Sequence, residues 1–379
     1  MTSTGTSGVP VSPNDPTNVN IFAISEDSLA GFQRDPFGEI ASRSGVAIDI
    51  VLERIRALVE AGTVRRVRQT LLATNLARGA LVAWQVPQST LQESFDFMFR
   101  EDPFSGHVVI RTTDAVNPGS RYKLWTTVKV PQGFSMEKHC DYLLSQVGGE
   151  RYMVMPAKAL FVLGVGHTRR KGMEPGSKSD ELSDPMYPEI VDLTDADWRV
   201  LTTLKREFAA EEIVRDLWQP RAEEADVSLD EFFAAAASLQ DRGVIGRFST
   251  FLEHVKPVAG GERVTRYNAL FHWAVPAERV VEAGREVGRH HVLTHCYWRE
   301  GGPEFKNVNV MGVAHGTDKD LILKHKAAID DHLESCGMPV FYTNVFWGGR
   351  SEIKPSEISP LAYAEWCNSR GIDPELMRS

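Results

Sequence analysis

The chain has 379 residues, 42% of them apolar, and a formal net charge of −9. That length supports two or three domains with packed cores. The acidic balance argues against a generic nucleic-acid binder, whose phosphate contacts need a cationic surface, and leaves only a local basic patch open. Cys140, Cys296, Cys336 and Cys367 show no CxxC spacing, no apolar run is long enough to span a membrane, and the start has neither a signal core nor basic flanks. A reduced cytoplasmic protein without membrane attachment is the expectation, with 1–18, rich in Ser, Thr, Pro and Gly, as a disordered tail.

In chain order, a helix with interruptions is expected over 21–45, and Ser44-Gly45 ends a short helix. Over 47–61 Ile50, Val51, Ile55, Leu58 and Val59 recur at helical spacing until Gly62 stops the run. With the basic strand at 63–68, these segments read as a winged helix-turn-helix over 19–75. Strands at 80–87, 107–113 and 122–130, helices at 90–100 and 133–147, and a closing strand at 158–166 follow. The order β-α-β-β-α-β is ferredoxin-like and assigns 76–167.

After a polar linker at 168–192 the same order returns. Helices at 197–208, 211–218 and 228–242 make a second helix-turn-helix unit (193–250), and 251–350 a second ferredoxin-like domain. Ala83-Trp84-Gln85-Val86-Pro87 corresponds to His272-Trp273-Ala274-Val275-Pro276, and Gly148 and Gly337 close equivalent helices. The fold class is therefore α+β, a tandem duplication, with 351–379 as a helical extension. The reading helix of the second copy, 228–240, is acidic and alanine-rich, whereas a recognition helix needs cations and long polar side chains. A scaffold is the expected role of these units, and no DNA partner is expected.

The densest chemistry lies in 292–316, read as two short strands joined by a Gly-Gly-Pro turn. Strand alternation puts His295, Tyr297 and Arg299 on one face, with Cys296 and Trp298 on the other. The competing reading is a hairpin whose polar face meets water. His290, His291 and His295 suggest a metal set, but strand and turn geometry does not bring such a spacing onto one face, so no protein-only metal site is expected. Cys296 reads as a packed thiol.

These motifs carry a resemblance. A winged helix-turn-helix followed by β-α-β-β-α-β is the layout of the Lrp/AsnC regulators, and the chain resembles, over about 21–350, their siroheme decarboxylase branch with two subunit-like halves fused. Tyr122-Lys123-Leu124-Trp125-Thr126-Thr127 resembles the branch's Tyr-Asn-Leu-Trp-Phe-Thr strand. His295-Cys296-Tyr297-Trp298-Arg299 is similar to its His-Cys-Tyr-x-Arg strand, and 309–316 to Asn-Leu-Tyr-x-Met-Val-His-Gly. The chain departs from the pattern at 108–113, where Val-Val-Ile-Arg-Thr-Thr replaces a His-Asn-Tyr-x-Arg type strand, at Lys123 and Met311, and in a longer connection at 253–265. One working site per chain is the consequence expected.

The resemblance implies removal of CO₂ from acetate side chains of an iron tetrapyrrole, in haem or haem d1 formation. Such a flat, carboxylate-rich substrate needs an apolar slot with cations at the rim. Trp84, Trp125, Trp273 and Tyr122 are candidate walls, with core packing the expected role of Trp84 and Trp273. Arg111, Arg121, Lys123, Arg299 and Lys306 are candidate cations, with a solvated strand face as the alternative for Arg111, Arg121 and Lys123. His295 and His315 are the candidate general acids, Tyr297 their hydrogen-bonding partner and Arg299 a carboxylate anchor. His167, His295 or His315 could ligate the iron of a bound haem or siroheme. No cofactor beyond the substrate is required, and a pseudo-symmetric monomer and a homodimer both fit. A transcriptional regulator sensing a small molecule or haem, and a non-catalytic tetrapyrrole-binding protein, are the alternative functions.

Overall fold

The computed structural model describes residues 8–164, 173–253 and 265–379. The first copy runs α1 (Pro16–Ser25), β1 (Leu29–Ala30), α2 (Pro36–Ser44), α3 (Ile48–Glu60), β2 (Val64–Leu71), β3 (Ala77–Gln85), α4 (Leu91–Arg100), β4 (Ser105–Thr112), β5 (Leu124–Pro131), α5 (Met136–Gln146), β6 (Arg151–Pro156) and β7 (Ala159–Leu163). The second runs α6 (Asp195–Leu204), α7 (Gln219–Glu224), α8 (Leu229–Asp241), β8 (Ile245–Leu252), β9 (Tyr267–Ala274), α9 (Val280–Gly288), β10 (Leu293–Trp298), β11 (Val310–Gly316), α10 (Lys319–Ser335) and β12 (Tyr342–Ile353), and α11 (Pro360–Ser369) follows. Local chemistry marks the ends. Asp15 accepts from the Thr17 and Asn18 amides at the start of α1, Ser228 and Glu231 form a capping box on α8, and Gly337 takes a left-handed φ of 64° just past α10. No helix among the described residues is long and apolar enough to cross a membrane.

Contacts divide the chain into two compact units that cut across the linear repeat. One unit gathers both helix-turn-helix units, drawn from 1–72 and 191–266. Their wings share a sheet in the order β1-β8-β2, with Val67 opposite Thr250. The arginines of α3 and of the first wing, β2, are engaged or buried inside this unit. Arg66 Nε lies 2.8 Å from Glu207, Arg54 pairs with Asp15 at 3.2 Å, and Arg56 Nε donates to the Ile213 carbonyl. Burial lowers Arg65 and Arg68 to about 10. The expected loose tail is corrected for 8–18. Val9, Val11 and Asn18 are buried, Thr63 Oγ1 donates to the Val11 carbonyl, and α1 starts at Pro16, because two apolar side chains and a capping Asp tie this stretch to the helices.

The other unit carries a sheet of nine strands in the order β6-β3-β5-β4-β12-β9-β11-β10-β7. The expected closing strand at 158–166 is corrected here. β6 closes the first ferredoxin-like half against β3, and β7 pairs instead with β10 of the second half, Val162 opposite Cys296. Pro156 has no N–H to donate, so it ends the β6 ladder and lets the chain turn away. β12 makes the reciprocal exchange: Tyr342 to Gly348 pair with β9, and its later residues pair with β4. As β6 and β7 are consecutive in the chain yet stand at opposite ends of the strand order, the sheet folds round until its two halves face each other.

Three apolar layers result. α4, α5 and α11 cover the outer face of the first half around Trp84, Phe95, Phe104, Tyr363 and Trp366. α9 and α10 cover the second around Phe161, Phe271, Trp273 and Leu333. The inner layer takes Tyr122, Trp125, Met155, Leu270, Phe305, Met311 and Phe346 from both halves. After β12, α11 packs into the first-half core, and Tyr363 OH lies 3.0 Å from His139 Nδ1. Part of the linker is ordered too: Met186 and Leu160 exchange two backbone hydrogen bonds and cover the open edge of β7.

Candidate active site

Alternation along β9, β10 and β11 sorts the chemistry. Ala269, Phe271, Trp273 and Cys296 point into the helix-side core, while Asn268, Leu270 and His272 stand in register with His315, Val313 and Met311 on the inner face. His295 and Tyr297 lie opposite Val313 and Met311 and share that face. Their rings are 5.9 Å apart and nearly parallel. The split expected from sequence, with Cys296 on the other side, is the one observed.

These inner residues form a continuous polar chain. Arg111 Nη1 donates to Asn268 Oδ1 at 3.1 Å, and Asn268 Nδ2 lies 3.0 Å from His315 Nε2. His315 Nδ1 is 3.3 Å from Thr294 Oγ1, which is 3.0 Å from His295 Nδ1. The Arg299 guanidinium lies 4.5 Å from the Tyr297 ring centroid and donates to the Met155 carbonyl. The donors set the tautomers. Arginine can only donate, so Asn268 accepts through Oδ1 and donates through Nδ2. His315 Nε2 is then an acceptor and its proton sits on Nδ1. Thr294 gives its own hydrogen to the Val313 carbonyl at 3.2 Å, so it accepts from the Nδ1–H of both histidines.

The charges in this layer are unusual. Arg111 is 4% exposed and burial lowers it to about 10, so it is still a cation at neutral pH. Among the described residues it has no acidic partner, and its Nε has no hydrogen-bond partner. His272, beside Trp125 and Phe346, is pushed down to about 3 by burial, with Arg111 and Lys326 adding to the shift. It is a neutral imidazole whose Nε2 has no partner among the described residues. Burial raises Tyr297 and lowers Arg299.

The other sequence candidates separate. Trp125 is walled in by Phe305 and Phe346 at 5.4 and 5.1 Å, and its Nε1 donates to the Tyr122 carbonyl. Tyr122 OH donates to Glu304, which also lies 3.4 Å from Arg151. Trp84 and Trp273 are helix-side core residues bonded to Thr126 and Asp330, so they do not wall the inner layer. Arg111 is buried, which corrects the solvated-face alternative for it. Arg299 is also buried, 8% exposed, and packs over the Tyr297 ring while its guanidinium donates to the Met155 carbonyl. Lys123 reaches Gln88 at 2.7 Å. Arg121 and Lys306 are exposed, on turns that meet where Gly119 abuts Phe305. His290 packs against His332, not His295. His167 and the connection at 254–264 lie outside the described residues. Asn268, Thr294 and His272 went unmarked in the sequence, although the alternation of 268, 270 and 272 against Phe271 and Trp273 was the available signal.

The family described as the AsnC-like ligand binding domain matches at residues 76–161 and again at 265–344. The chain thus carries two AsnC-like segments. It is similar over most of its length to the siroheme decarboxylase of Hydrogenobacter thermophilus, 26% identical over 76% of this chain and 80% of that one. It is 28% identical to the siroheme decarboxylase NirH subunit of Stutzerimonas stutzeri over 28% of this chain and 59% of that one. Among solved structures the chain shares its fold with the siroheme decarboxylase NirDL, at a TM-score of 0.64 and 20% identity over 93% of this chain and 98% of that one. It shares it equally with NirDL in complex with an iron-uroporphyrin III analogue, at a TM-score of 0.63 and 20% identity over 93% and 99% of the two chains.

Proposed function

We propose that this chain is a carboxy-lyase of the siroheme decarboxylase kind, removing CO₂ from acetate side chains of an iron tetrapyrrole. The similarity to siroheme decarboxylase over most of the sequence supports the reaction. The observation that carries the residue assignment is the buried, acid-free Arg111 at the head of the Asn268–His315–Thr294–His295 chain. A cation left unpaired in a low-dielectric interior is costly, and a substrate carboxylate is the partner that offsets it. Trp125, Tyr122 and Phe346 supply the apolar wall, and the exposed Arg121 and Lys306 with the half-buried Lys123 serve the substrate's outer carboxylates.

His295 is the general acid. Its Nδ1–H is held by Thr294, which leaves Nε2 as the atom that takes and gives a proton. His315 is the less suited acid, because the Asn268 amide donates to its Nε2 and opposes a proton there; it orients Thr294. Protonating the ring lets it accept the electron pair of the breaking C–C bond as CO₂ leaves. The ring then gives up its added proton as the pair returns to the methylene carbon, which takes a proton and becomes a methyl group, so each carboxylate lost consumes one proton overall. Tyr297, braced by Arg299, stacks on His295 and fixes its plane. Anaerobic incubation of the purified chain with siroheme tests the reading by mass spectrometry. A product lighter by one or two CO₂ is expected, and absence of both binding and mass loss overturns it.

A further inference from the structure

Away from the inner layer, α9 and α10 bring four donor side chains together at their C-terminal ends. Glu286 and His290 are four residues apart across the end of α9, where the His290 amide still bonds to the Val287 carbonyl. His332 and Cys336 are four apart at the end of α10. A helical turn places such pairs on one face. The ligand atoms of Glu286, His332 and Cys336 lie within 4.8 Å of one another. His332 Nε2 is 2.7 Å from Glu286 Oε2 and 3.7 Å from Cys336 Sγ. The His290 ring is centred 5.2 Å from the His332 ring; the residue is 2% exposed and its Nε2 has no partner among the described residues.

We propose that this cluster is a binding site for a divalent transition-metal ion of the zinc class, with Glu286, His332 and Cys336 as ligands and His290 completing the set. Oxygen, imidazole nitrogen and thiolate together suit an intermediate cation in tetrahedral coordination and disfavour magnesium or calcium, which take oxygen ligands. Ligands about 2.0–2.3 Å from one ion stand roughly 3.3–3.8 Å from each other, so the Cys336–His332 separation already fits and Glu286 need only recede from its hydrogen bond. The exposed Cys336 gives the ion a route in. Binding displaces the thiol proton and moves the His332 proton from Nε2 to Nδ1. Nδ1 now accepts from Lys178 Nζ at 2.7 Å, so Lys178 must withdraw when the ion enters. Arg289, 3.0 Å from Glu286, keeps one carboxylate oxygen oriented. None of these residues belongs to the chain that runs from Arg111 to His295, so the site is a second one on the same unit and does not depend on the carboxy-lyase reading.

The test uses the full chain, freed of metal and tetrapyrrole and titrated with Co(II) under nitrogen. One equivalent should bind with a near-ultraviolet thiolate-to-cobalt charge-transfer band. Cys336→Ser should abolish the band, and His332→Gln should weaken binding more than about 100-fold, beyond the range for an outer-shell partner. Lys178→Met should tighten binding, since it removes the competing ammonium. Circular dichroism and thermal unfolding of the metal-free variants, matching the parent, exclude misfolding as the cause. A parent chain without the thiolate band, a band that survives Cys336→Ser, or Lys178→Met binding no more tightly than the parent would each overturn the proposal.

Discussion

Replacing Arg111 with methionine separates what this side chain costs the fold from what it does for a ligand. Its lowering from 12.5 to about 10 by burial corresponds to about 3 kcal/mol of destabilisation of the charged form. For a base with a lowered folded pKa, that cost is present in full below the folded value and fades as pH rises towards 12.5. At neutral pH the parent therefore carries all of it. Methionine fills similar volume without charge and gives up the hydrogen bond to Asn268 at 3.1 Å, worth about 1 kcal/mol. The ligand-free variant should come out about 2 kcal/mol more stable by denaturant unfolding followed by tryptophan fluorescence. Binding of an iron tetrapyrrole, followed by its visible absorption, should weaken by roughly 10- to 100-fold, the loss of one charge-assisted contact to a carboxylate. A variant that is less stable than the parent and binds the tetrapyrrole equally well would refute the reasoning and make Arg111 a structural residue.

Three further outcomes follow from the same geometry. Thr294→Val removes the hydroxyl shared by His295 and His315, so CO₂ release at saturating siroheme should fall at least about 10-fold with little change in KM, and His295→Ala should cost about 100-fold; equal activity in either would remove His295 from the acid role. His272 is held down to about 3, so the folded state takes up no proton there while the unfolded chain does below 6.5. This residue should cost up to about 1.4 kcal/mol of stability per pH unit as pH falls from 6.5, and His272→Leu should flatten that slope in denaturant titrations between pH 6.5 and 4.5. At Gly284 of α9 an added Cβ would meet the Phe161 ring of β7 at 2.1 Å, so Gly284→Ala should lose about 1–3 kcal/mol, read as a lower thermal midpoint.

Much of the fold was legible because its signals are local and occur twice. The helix periods, the left-handed glycines such as Gly337, and the matching Trp84 and Trp273 strands each depend on a few neighbouring residues. The alternation of His295 and Tyr297 against Cys296 is equally local, and the inner face follows it. Strand exchange was not legible. Nothing near Ala159 says whether it pairs within its own half or with β10, and the choice is made by the proline at 156 and by packing of Phe161 on α9. The burial of Arg111 depends likewise on β12 arriving beside β4 from more than two hundred residues away.

By itself the amino-acid order determined that this is a duplicated α+β protein and that 292–316 carries its densest chemistry, since both rest on periodicity and side-chain type. Which cation stands beside the histidines was decided only in three dimensions. Arg111 reaches His315 through Asn268, on a strand of the other half, whereas the sequence neighbour Arg299 turns aside to brace Tyr297. Pairing strands across the repeat costs chain entropy that no local pattern reveals, and it is repaid by burial of the inner layer between the two halves of the sheet.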